Sequence, residues 1–363
     1  MRRLVLKPAG KQYLPVRPAA GESVIIGVDL ARSKWVYACR WSELEQRRLS
    51  TPGEICHLQA LAGEYRGEGC RVHIVYEACG FGYEIAWWAQ AQGLDVLVVP
   101  PSTVEKAPGS HVKTDGHDAS GLALRYERGM LKGIHIPTRE CHQLRQLSRT
   151  YGAALRDRKR QQARVRMLLQ EHGHTPPAPR AGWKALEPWL AAQEFAPAVK
   201  ACVEQLLILR HSAARSTKVL KAQLLGLAAL PQYKPLVQAL SAQSGVGTFT
   251  AIRFVLEVGD IHRFATADSI AHFYGLTPQE HSTGETVRRG RIRKCGPAFI
   301  RSWIIQCAWA ARGRHGDAEL REFYAKLWPR IGKKKAIVAV ARKLALRLRA
   351  RWLAHERSLA QAA

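Results

Sequence analysis

The chain has 363 residues, 47% of them hydrophobic, which is long enough for more than one domain with a core of its own. Its 56 Lys and Arg against 29 Asp and Glu leave a formal charge of +27. That self-repulsion calls for a polyanionic partner, and because the basic residues are spread over folded-looking segments, nucleic acid is favoured over a membrane surface. No apolar run reaches membrane-spanning length, and Met1-Arg2-Arg3 has no signal-peptide core behind it, so a cytoplasmic protein is expected. Its eight cysteines (39, 56, 70, 79, 141, 202, 295, 307) form no C-x-x-C pair, which argues against a zinc ribbon or disulfide framework and for reduced, mostly buried thiols.

Residues 1–22 read as a basic arm without periodicity. Val24 to Val28 is a β-branched run of core-strand length, and Asp29 interrupts it where burial would otherwise continue. A polar turn and a returning run, Trp35 to Cys39, complete a hairpin of the kind that opens a ribonuclease-H-like nuclease domain; the plainer reading of Asp29 is a turn cap. Pro52 to Glu64 has helical spacing, Arg71 to Glu77 alternates and again ends in a carboxylate, Phe81 to Gln92 reads as a helix, and Leu94 to Val99 as a buried strand stopped by Pro100-Pro101.

Lys113-Thr114-Asp115-Gly116-His117-Asp118 then runs into a helix. Asp115 and Asp118, three apart, project from one face if both lie in its first turn; two such charges repel unless a cation sits between them, while an acid at a helix start is also an ordinary cap. From Glu140 to Gln170 heptads (Leu144, Leu147, Tyr151, Ala154, Val165, Leu168) carry Arg149, Arg156, Arg158, Lys159, Arg160, Arg164 and Arg166 outward, with Arg158 and Gln161 breaking the seam. Pro176, Pro177 and Pro179 form a hinge, and a second long helix from about Glu194 to Leu230 is expected to fold back on this arm.

Ser244-Gly245-Val246-Gly247 opens another helix in the manner of a helix-hairpin-helix, where backbone amides of Gly245 and Gly247 meet a phosphate; Ser244 reads as a cap. Ser282, in a short loop beside Arg288, Arg289, Arg291, Arg293 and Lys294, sits in a field that favours phosphate, although Ser and Gly are ordinary loop residues. Thr286 to Arg357 carries twenty Lys and Arg against four Asp and Glu, interleaved with Trp303, Trp309, Phe323, Tyr324, Trp328 and Trp352, which read as core in preference to base-stacking platforms.

Together these blocks resemble the DEDD transposases of the insertion sequence 110 family: Gly27-Val28-Asp29, Tyr76-Glu77-Ala78 and Lys113 to Ala119 in the first half, then Gly245-Val246-Gly247, Glu257-Val258-Gly259-Asp260-Ile261, Arg263-Phe264, Tyr274 to Pro278, Ser282-Thr283-Gly284, Arg289-Gly290-Arg291 and Lys294-Cys295-Gly296 in the second. The resemblance implies an α/β ribonuclease-H-like (RuvC-like) nuclease domain (23–138), a helical coiled-coil arm (139–235) and a mostly α C-terminal transposase domain (236–357). It implies that Asp29, Glu77, Asp115 and Asp118 hold Mg²⁺ or Mn²⁺, and that Ser282 attacks a DNA phosphate and forms a transient phosphoserine link. It implies as partners donor and target double-stranded DNA, a noncoding bridge RNA that directs both by base pairing, and further copies of the chain as a dimer or tetramer, on the nucleoid. Lys113, Arg156, Lys159, Arg160, Gly245, Gly247, Arg288, Arg289, Arg291, Arg293 and Lys294 are the expected nucleic-acid contacts.

Three positions depart from the family pattern: Ser244 replaces a common proline, Thr283 a common serine, and Gly116-His117 a common Arg-Ile. Thr283 leaves Ser282 as the single serine of its loop, and His281 beside it is either a proton shuttle or incidental. The alternatives are a structure-selective junction nuclease that needs the acids but not Ser282, and a non-enzymatic RNA-binding scaffold.

Overall fold

The computed structural model describes residues 17–101, 115–176, 182–280, 289–293, 296 and 298–362, and for 115–117, 289 and 362 the backbone alone. Residues 1–16 of the expected arm (1–22), Lys113, Pro177 and Pro179 of the expected hinge, the Ser282 loop (281–288), Lys294 and Cys295 lie outside this set. The chain divides into two compact units, residues 1–139 and 140–363.

The first unit is a five-stranded sheet in the order β3-β2-β1-β4-β5. β1 (Ser23–Leu30), β2 (Lys34–Trp41) and β3 (Leu44–Pro52) form an antiparallel meander, while β4 (Arg71–Glu77) and β5 (Asp95–Val99) run parallel to β1. The strand β3 carries no apolar run because it is an edge strand: Glu45, Arg47 and Arg48 line it, and only Leu49 and Thr51 are buried. Strand alternation divides the core in two. Val24, Ile26, Val28, Ile74 and Tyr76 face helices α1 (Ile55–Gly67) and α2 (Glu84–Ala91), whereas Ile25, Val75 and Val99 face Leu122 and Ala123 of α3 (Asp115–Glu127).

The second unit is almost wholly helical. Its main core gathers α7 (Lys234–Ser241), α8 (Thr248–Val258), α9 (Ala267–Phe273), α10 (Ala298–Ala311), α11 (Ala318–Ile331) and α12 (Lys333–Ala362). The two long arm helices are α4 (Arg139–Glu171) and α6 (Pro197–Ala229), with α5 (Trp183–Ala191) between them. Leu144, Leu147 and Tyr151, heptad positions near the start of α4, pack against the main core. At the far end Val165 and Leu169 meet Leu186, Leu190, Val199 and Val203 in a core of their own. A short hairpin, β6 (Pro278–Glu280) and β7 (Arg289–Ile292), brackets the segment that carries Ser282.

Cysteine burial differs from the expectation. Among the described residues Cys39, Cys70 and Cys307 are buried, Cys141 is half-buried, and Cys56, Cys79 and Cys202 are exposed. The exposed three lie on helix surfaces or loops, where a thiol is simply a small side chain.

Candidate active site

The site is built by register. Val28 pairs with Tyr76 across the parallel β1/β4 ladder, so Asp29, one residue before the end of β1, and Glu77, the last residue of β4, stand on neighbouring strands at the same level. Alternation sends both to the face that carries Ile25, Gly27, Val75 and Val99, which is the face α3 covers. Both are half-buried.

Helix α3 crosses that face at Gly27. A Cβ on Gly27 would overlap the Ala119 carbonyl oxygen and stand 2.9 Å from the Ala123 amide nitrogen, so only a residue without a side chain admits the helix this closely. The direction of α3 is set at its other end. The Tyr126 hydroxyl and His73 Nδ1 lie 3.2 Å apart, and Arg40 donates to Glu127 at 2.7 and 3.1 Å; His73 and Arg40 both pair with Ile25, near the start of β1. The N-terminus of α3 therefore points toward the strand ends that bear Asp29 and Glu77. From Ala119 back to Asp115 a helix rises about 6 Å, and from Gly27 on to Asp29 a strand advances about 7 Å. Asp115, Asp118 and Leu122 share one helix row, and Leu122 is buried against the sheet. Asp118 itself is half-buried.

Two guanidinium anchors that the sequence reading passed over hold this helix in place. Arg40, on β2, bridges Glu127 and the Glu43 carbonyl (2.6 Å), and Arg48, on β3, donates to Ser120 at 2.7 Å. Their only signal was an arginine at an inward strand position, which is legible once a counter-charge is seen opposite.

The donor set is carboxylate oxygen throughout, which suits a hard divalent cation, and the half-buried positions of Asp29, Glu77 and Asp118 leave room for ligands from solution. The residues fit such an ion. Donor atoms of Asp29, Glu77 and Asp118 do not all lie within 4.8 Å of one another; among the described residues Glu54, Cys56 and His57, on the α1 side of the sheet, form a set that does. A site for two ions does not require every carboxylate to meet every other.

The expected nucleic-acid contacts fall into different classes. Arg156 and Lys159 are exposed on α4, and Arg160, also exposed, pairs with Asp157 at 3.2 Å. Arg291 and Arg293 are exposed at the β6/β7 hairpin, while Arg288, Lys294 and the Arg289 side chain lie outside the described residues. Gly245 has φ +83°, and a Cβ there would stand 2.6 Å from the Cys307 carbonyl oxygen and the Ala311 amide nitrogen, so packing against α10 already requires a glycine. Gly247 is exposed and is itself the N-cap of α8; no side chain caps that helix, so Ser244 does not act as the cap expected of it.

A second unexpected constellation lies in the other unit, around Glu257 of the Glu257-Val258-Gly259-Asp260 block. Its side chain is fully buried, 3.3 Å from Arg149 and 3.8 Å from Arg145. Burial pushes the Glu257 carboxyl up, and the guanidiniums of Arg149 and Arg145 pull against it. This cluster fastens α4 to α8, which turns two arginines of the arm into structural residues.

Comparison with known proteins places the chain among transposases. A DEDD transposase model of the IS110 group matches residues 26–174, and a second, described as Transposase IS116/IS110/IS902 family, matches residues 237–325. The Sinorhizobium fredii protein y4qE, named as a transposase, is 28% identical over 324 residues, 85% of this chain and 74% of its own length. The transposase for insertion sequence element IS1111A of Coxiella burnetii is 26% identical, covering 88% of this chain and 86% of the relative. The transposase for insertion sequence element IS1328 of Yersinia enterocolitica is 24% identical, covering 88% and 94%. No helix among the described residues is long and apolar enough to cross a membrane. With both halves matched in order, the chain belongs to the IS116/IS110/IS902 family of transposases, whose DEDD pattern implies a divalent metal, and is a DNA transposase.

Proposed function

We propose that this transposase is a bridge-RNA-guided DNA recombinase whose first unit is a RuvC-like, ribonuclease-H-like nuclease domain. The observation that carries the reading is the end-to-end register of Asp29 and Glu77 on β1 and β4 beneath the N-terminus of α3. In this reading Asp29, Glu77, Asp115 and Asp118 hold Mg²⁺, which when bound supplies charge neutralisation and Lewis-acid polarisation at the scissile phosphate. Ser282 Oγ forms a bond to phosphorus while one bridging oxygen of the DNA strand leaves as a hydroxyl, taking up the proton that serine gives. Because the phosphodiester is conserved on serine, a strand end from the other DNA partner reverses the step without an external energy source. Arg156, Lys159, Arg160, Arg291 and Arg293 hold backbone phosphates, and the base pairs of the RNA supply sequence choice. The arm formed by α4 and α6 joins copies of the chain as a dimer or tetramer.

Purified protein incubated with its element's flanking noncoding RNA, donor DNA, target DNA and Mg²⁺ tests this directly. Recombinant junctions and covalent protein-DNA adducts are expected, with adducts lost in Ser282→Ala and cutting lost in Asp29→Asn. Cutting that persists in Ser282→Ala without adducts would replace the reading with a junction nuclease that uses water.

A further inference from the structure

Most cations of α12 have a partner. Arg342 pairs with Asp268, Lys343 with Glu319, Arg347 with Asp317 and Glu319, and Arg349 donates to the Phe264 carbonyl. The corner between α11 and α12 is different. Arg330, Lys333, Lys334 and Lys335 are exposed, and no acidic residue occurs anywhere between Glu322 and Glu356 to balance them. Three of these cations open α12, where the helix dipole disfavours positive charge, so the corner carries an electrostatic cost that nothing within the described chain relieves.

The same corner holds the one exposed aromatic among the described residues of this unit. Tyr324 and Trp352 are buried, and Phe299, Trp303, Trp309 and Phe323 pack against the core, but Trp328 is 43% exposed, and Ile331 beside it is 40% exposed. A solvent-facing indole within seven residues of four unbalanced cations is the composition of a surface that stacks a base and tracks its phosphates. A duplex hides its base faces, whereas an unpaired strand offers them.

We propose that the α11/α12 corner binds single-stranded DNA, with a base stacked on Trp328 and the adjoining phosphates on Arg330, Lys333, Lys334 and Lys335. The proposal rests on the recombinase reading, in which strands are cut and exchanged and so pass through an unpaired state. It adds to that reading a place where a freed strand is held.

The test uses the full chain and fluorescence anisotropy with a labelled oligodeoxynucleotide, the matching oligoribonucleotide and the matching duplex. Trp328→Ala should weaken single-stranded DNA binding roughly fivefold to a hundredfold and leave duplex binding near wild type, with Trp328→Phe restoring most of the loss. Replacing Lys333, Lys334 and Lys335 together by Gln should reduce the slope of log affinity against log salt by about 2 for the single strand. All of these side chains are exposed, and circular dichroism of each variant checks that it folds. Wild-type single-strand affinity in Trp328→Ala, equal losses on single strand and duplex, or binding confined to the RNA would each overturn the proposal. Failure of the recombinase reading has separate signatures, cutting without adducts by Ser282→Ala or unaltered cutting by Asp29→Asn, and both leave the anisotropy comparison intact.

Discussion

Two residues show how much rides on single positions. Gly27 is the point of closest approach between β1 and α3, and it stands two residues before Asp29. Gly27→Ala should cost about 1–3 kcal/mol through overpacking, lift α3 off the sheet and weaken Mn²⁺ binding; urea unfolding and metal titration of one preparation check both. Asp317 caps α11 by accepting from the Leu320 amide at 3.0 Å. Burial pushes its carboxyl up, but the Leu320 amide, Gln243 and Arg347 outweigh burial and hold it below the ordinary 3.8. A depressed carboxyl stabilises the fold in full above that ordinary value, and the contribution is lost as pH falls through the lower, folded one. Urea midpoints should therefore drop as pH falls below about 4, and Asp317→Asn should flatten that acid limb while losing about 1 kcal/mol of cap and ion-pair stability at neutral pH.

Elements are tied to one another by buried charge as much as by apolar contact. The start of α4 is fastened to α8 through Glu257, Arg145 and Arg149, beneath an apolar seam of Leu144, Leu147 and Tyr151. Glu257→Gln leaves Arg145 without its counter-charge in the interior and should destabilise the second unit by about 3 kcal/mol. Thermal unfolding of this variant alone and combined with Arg145→Met checks the origin of the loss, because the double variant should recover part of it if the uncompensated buried guanidinium is the cause. Element identity was largely legible: apolar runs foretold β1, β2, β4 and β5, and heptads foretold α4. The edge strand β3 was not legible, because a strand half-covered on one side carries Glu45, Arg47 and Arg48 where a core strand carries valine. The short α5 escaped for a similar reason, since Pro188 within it reads as a breaker.

At the scale of the whole molecule the charge of +27 governs how DNA is met. If six to ten phosphates are engaged, duplex affinity should fall roughly 10³- to 10⁵-fold between about 50 and about 200 mM salt; a flat salt profile in filter binding would contradict an electrostatic interface. The charge is also less available than composition suggests, because Arg145, Arg149, Arg342, Lys343 and Arg347 are held by acids of the same chain. Sequence by itself determined the local facts: which runs bury themselves, which strands carry Asp29 and Glu77 toward their ends, that a helix follows the Asp115–Asp118 segment, and that the partner is a polyanion. These follow from periodicity and composition, which are properties of neighbours along the chain. The ribonuclease-H-like reading already set β1 beside β4, but only the tertiary structure decided the register that brings the two acids level, that Gly27 exists to admit α3, and which cations are engaged and which stand free at the α11/α12 corner. Register and ion pairing join residues tens of positions apart, and no local pattern encodes which distant partner a strand or an arginine will find.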